Sequence, residues 1–218
     1  MRSEGSHAQA GHRRWVGLAR AGDRIHQGVR SRRERDDGND GGHLVFIAMK
    51  DRRLEEAIRH FHPPTGFRPW HGGATVLGAL RGLSAEEAEW RPHPERHSIW
   101  ALALHVAYWN YAVERRLAGG PKGGFPRTPS NWPHRSEGDL EEAWIRDRGL
   151  VQQQHESLLA TLTSFDPARL DDASSAKSRV TFADLVTGVV LHDTYHAGQI
   201  QMLKRMARSE GVGGGGSS

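Results

Sequence analysis

Apolar positions recur every three or four residues in four stretches of this chain, the period of a helix that buries one face. The first, about 73–83, aligns Val76, Leu77, Leu80 and Leu83. Ser84-Ala-Glu-Glu87 follows as a capping box opening one further turn before Pro92. The second opens after Ser98, a natural N-cap, and repeats Ile99, Leu102, His105, Val106, Trp109 and Val113 as far as Gly119-Gly120. The third covers about 139–164, with Leu140, Trp144, Val151, His155, Leu158 and Leu162 in register and Pro167 just beyond. The fourth starts at Thr181, with Asp184 in the capping-box position, and carries Leu185, Val189, His192, His196, Ile200 and Leu203 to about Arg208. A shorter helix is expected over 51–60, and strand signals are few. Four amphipathic helices of this length predict an all-α fold, a four-helix bundle.

The flanks lack this pattern. Residues 1–48 are rich in Arg, Gly, Asp and Ser and are expected to form a disordered N-terminal extension, with Met49 a natural start for the patterned region. The bundle domain is expected over 49–209. Residues 210–218, ending G-G-G-G-S-S, read as a flexible tail.

Composition narrows the functional classes. The 218 residues suffice for one full core, and no run approaches the ~20 apolar residues of a membrane span. The net charge of +4 is uneven, because residues 1–40 hold nine arginines against six acids, leaving the bundle nearly neutral. The expectation is therefore no nucleic-acid partner and no membrane partner. There is no cysteine, so any sulfur chemistry needs a thiol from outside the chain, and a reducing, cytoplasmic setting fits.

Candidate chemistry sits on the helix stripes. His192 and His196 are four residues apart, a spacing that fourteen histidines would produce about once by chance. His93 and His97 share it, but Pro92 and Pro94 break any helix there. What distinguishes the later pair is its place on an apolar face, ~6 Å apart along one helix, where neutral imidazoles need partners and a divalent cation supplies one. A third ligand must come from another helix. His105 and His155 both lie on core stripes, and spacing does not choose between them. Gln199 falls on the same face and is a candidate for orienting a ligand or water. Asp193 lies about 100° away around the helix.

W-H-G at 70–72, R-P-H-P-E-R-H-S-I-W-A-L-A-L-H-V-A-Y-W at 91–109 and L-H-D-T-Y-H-A-G-Q-I at 191–200 together resemble the DinB-like (YfiT/DinB) four-helix superfamily. The resemblance implies a metal site of zinc or nickel held by His105, His192 and His196. It also implies a small-molecule substrate, homodimerisation, and in several relatives transfer of a low-molecular-weight thiol to an electrophile in detoxification or stress. The alternatives are a hydrolase using metal-bound water and a non-catalytic metal-binding stress protein. A zinc peptidase is disfavoured: H-D-T-Y-H has a carboxylate one methylene shorter than H-E-x-x-H, and no third-ligand signature follows.

Overall fold

The computed structural model describes residues 51–67, 73–120 and 124–213. The expected extension at 1–48, Met49, the W-H-G stretch and residues 214–218 of the expected tail lie outside them. Among the described residues the chain is all-helical: α1 (Arg52–Phe61), α2 (Val76–Ala79), α3 (Ala85–Glu89), α4 (Ile99–Ala118), α5 (Leu140–Ser164) and α6 (Phe182–Ser209). A 3₁₀ turn spans Pro167–Arg169, and an isolated antiparallel bridge joins Ala173 to Thr181. None of these helices is long and apolar enough to cross a membrane.

Side chains close the helix starts, where backbone N–H groups lack intrahelical acceptors. Ser98 accepts from the Ala101 amide, Asp139 from Glu142, and Thr181 from Asp184, whose carboxylate returns the bond to Thr181. Gly119 ends α4 in the left-handed conformation, φ 64°. The helix expected over 73–83 is a single turn. Thr75 caps it late by accepting from Gly78, and Gly82, at φ +62°, has left the helical region. Val76, Leu80 and Leu83 are nevertheless buried, so that stripe reports burial although the helix is short. The fourth side of the bundle is shared between α1, packed against α5 and α6, and the α2–α3 segment.

The interior has two apolar clusters. One joins Val76, Leu80 and Leu83 to the first half of α4 (Ile99 to Ala107), the first half of α5 (Ala143, Trp144, Val151) and the second half of α6 (Ala197, Ile200, Leu203). The other joins α1 to Val113 and Leu117, to Leu158 and Leu162, and to Phe182 through Val190. The buried polar side chains Asn110, Gln154, His155, Asp193 and His196 occupy the intervening stretches of the same three helices, and buried His105 lies just before that stretch on α4. Buried polar groups must find hydrogen-bond partners or forgo water at a cost, so this layer is where chemistry is expected.

Candidate metal centre

The third imidazole is positioned by a loop. Asp147, fully buried on α5, accepts from Trp100 Nε1 (3.0 Å), the Ser136 amide (2.6 Å), Ser136 Oγ (2.7 Å) and Arg127 Nη2 (2.9 Å). These charge-assisted bonds fasten the 124–137 loop onto α4 and α5. Along it, Asn131 has φ 72°, a left-handed conformation that Asn tolerates better than most residues. Its carbonyl accepts from His105 Nδ1 at 2.6 Å, and its Oδ1 accepts from Trp109 Nε1 at 2.9 Å. The next residue, Trp132, lies flat on His105, ring centres 3.9 Å apart, and its ring also stacks with His97 at 3.7 Å.

On α6 the four-residue spacing brings His192 and His196 to 4.4 Å between ring centres, and both face His105, at 5.0 and 4.8 Å. One ligand atom from each of the three lies within 4.8 Å of the other two, so the group can hold a single metal ion. The hydrogen-bond partners fix which atoms face inward. A carbonyl oxygen can only accept, so the His105 proton sits on Nδ1 and its Nε2 lone pair points at His192 Nε2, 3.1 Å away. Gln199 Oε1 accepts from His196 Nδ1 at 2.6 Å while Gln199 Nε2 donates to the Tyr195 hydroxyl, so His196 too keeps its Nε2 lone pair free.

Burial disfavours the charged forms of His105 and His196. It pushes His196 down to about 4, reinforced by the neighbouring His192 and opposed by Gln199. His105 is lowered for the same reason, against the Asn131 carbonyl, which favours its charged form. Neutral imidazole is the form that ligates.

Of the two candidates for the third position, the structure brings His105 to the α6 pair and sets His155 apart. His155 Nε2 pairs with His62 Nδ1 at 3.0 Å and stacks on Phe61 at 4.2 Å, and burial beside His62 lowers it to about 4. A cavity of about 20 Å³ is lined by both His155 and Asp193. Gln199, expected to orient a ligand or water, touches His196 and Tyr195. Trp109, on the α4 stripe, is half-buried and ties α4 to the loop.

Three contributors escape a sequence reading. Asn131 and Trp132 stand in a Pro/Gly-rich connection without periodicity, where only the Asn, a residue suited to left-handed backbone, hints at a special position. Asp193 is buried rather than turned away: its Oδ1 lies 3.5 Å from His192 Nδ1, and Asn110 Nδ2 donates to its Oδ2 at 3.2 Å. Burial raises its carboxyl, opposed by His192 and Asn110.

A family model described as the DinB superfamily matches residues 72–200, a span that includes all three converging histidines and the loop that holds His105. No curated protein and no solved structure matches the chain.

Proposed function

The chain belongs to the DinB superfamily, and from that premise we propose a divalent-metal-dependent enzyme that joins a low-molecular-weight thiol to a small electrophile. The observation that carries this reading is the convergence of three imidazoles from two helices, with Nε2 of His105 and His192 3.1 Å apart. Two lone pairs at that distance repel unless a cation or a proton lies between them. The donor set supports zinc or nickel, since imidazole nitrogen suits these metals and an all-oxygen set suits magnesium or calcium. His105, His192 and His196 would hold the ion. Three protein ligands leave a coordination position for a reactant, and a divalent cation there supplies Lewis-acid activation of a sulfur or oxygen nucleophile.

The chain's own residues account for the rest. With no cysteine in the sequence, the sulfur comes from a second substrate. In the proposed reaction the thiol gives up its proton, its sulfur forms the new bond to an electrophilic carbon, and the leaving group departs with the displaced electron pair. A cavity of about 300 Å³ shares Trp132 and His97 with the stack on His105 and is also lined by Arg91, His134 and Arg135, room and charge suited to a small polar molecule. Gln199 holds His196 in the orientation that aims its lone pair inward. Family resemblance extends the reading to a cytoplasmic homodimer active in detoxification or stress.

The test is elemental analysis of the purified protein, followed by a screen of electrophiles against several cellular thiols. Expected is about one zinc or nickel per chain and turnover that requires both metal and thiol. Turnover that persists without thiol favours a hydrolase, and a loaded protein inert to every pair favours a non-catalytic metal-binding role.

A further inference from the structure

Two of the three inward-facing rings have their outer nitrogen tied to a partner, His105 to the Asn131 carbonyl and His196 to Gln199. His192 has none. Its Nδ1 is buried without a hydrogen-bond partner, and so is Oδ1 of Asp193, 3.5 Å away. Buried unpaired polar atoms are rare because each loses water without replacement. Two of them, one a nitrogen able to carry a proton and one a carboxylate oxygen able to accept it, face each other across a gap a few tenths of an ångström beyond hydrogen-bond range. Asp193 is itself anchored from α4, since Asn110 Nδ2 donates to its other oxygen at 3.2 Å. Asn110 sits between the residues of the two apolar clusters on α4, level with the metal site.

We infer that Asp193, held by Asn110, is the positioning residue for His192: it accepts the Nδ1 proton and thereby leaves Nε2 bare and aimed at the ion. The inference rests on the metal-site reading above and makes the three ligands alike, each with Nδ1–H held outside and Nε2 turned in. Without that partner, the Nε2 atoms of His192 and His105 at 3.1 Å favour a proton on His192 Nε2, the atom needed for coordination. Partners of this kind fix ring orientation and tautomer and are typically worth about 10–100-fold in metal affinity.

The experiment uses the full chain, stripped of metal with a chelator, in wild-type, Asp193→Asn, Asp193→Leu and Asn110→Ala forms. Zinc affinity is measured by competition with a chromophoric chelator. The tautomer of His192 is read from its imidazole ¹⁵N shifts in the metal-free protein. Expected are an Nδ1–H tautomer in wild type and a shift toward Nε2–H in Asp193→Leu. Zinc affinity should fall about 10–100-fold in Asp193→Leu, and less in Asp193→Asn, whose amide oxygen still accepts. Asn110→Ala should lose a smaller factor. A merely structural Asp193 would lower the melting temperature of the leucine variant and leave the tautomer and affinity unmoved, and that result overturns the inference. So does an Nε2–H tautomer in the metal-free wild type. A wild-type protein that takes up no zinc defeats the metal reading instead, and the tautomer then still decides what Asp193 does.

Discussion

Two histidine clusters meet the interior of this bundle, one through buried His155 and the other through buried His105 and His196, and they have opposite designs. In the His62–His155 pair the two rings satisfy one another at 3.0 Å, and Phe61 covers His155. Around the other site the partners of His105 and His196 lie outside, so their lone pairs turn inward beside His192. Both clusters contain a ring that burial drives down to about 4. A depressed histidine therefore does not by itself mark a metal site. What marks one is the direction in which the unsatisfied nitrogens face.

The sharpest break between the clusters is metal content. His105→Ala or His192→Ala should reduce bound zinc or nickel from stoichiometric to trace levels by elemental analysis, whereas His155→Ala should retain it. Full metal in the first two variants would contradict the ligand assignment. Next in size is Asp147→Ala, which leaves Arg127 without its buried carboxylate and releases the loop from α5. Chemical denaturation should show a loss of about 3 kcal/mol. Metal binding should weaken as well, while the resonances of His62 and His155 stay in place.

Acid should expose what the two clusters share. His155 and His196 titrate near 4 when folded and near 6.5 when unfolded, so between those values the unfolded chain binds more protons. The stability of the metal-free protein should be fully present above pH 6.5 and fall as the pH drops toward 4. His155→Leu should make that slope shallower, and an unchanged slope in a melting-temperature series would remove His155 from the account. The smallest effect is expected of Asn131→Gly. Glycine keeps the left-handed backbone and the carbonyl to His105 but removes the bond to Trp109, so the stability loss should be about 1 kcal/mol and zinc affinity nearly unchanged. Asn131→Ala, strained at φ 72°, should cost more in the same assays.

How far the sequence discloses this arrangement depends on periodicity. The stripes on α4, α5 and α6 and the caps at Ser98 and Thr181 are local features, readable from neighbours three and four positions away. The helix expected over 73–83 contracts to one turn because burial and helicity part company: Thr75 caps it late and Gly82 leaves the helical region at φ +62°. His105 and His155 are indistinguishable as stripe residues. Their different neighbours, the Asn131 carbonyl for one and His62 for the other, are brought in from 26 and 93 residues away. Asp193 escapes for another reason. A helical wheel turns it away from His192 by about 100°, but a short carboxylate beside an imidazole can still face its near nitrogen.

The flat stack of Trp132 on His105 gives the molecule an optical gauge of its own. An ion drawing electron density from that imidazole alters the π-surface against which the indole rests, so emission should change as the site fills. Trp132→Phe would remove the stacked indole from the seven tryptophans and leave Trp109, with its ring centre 6.0 Å from that of His192, as the remaining reporter beside the site.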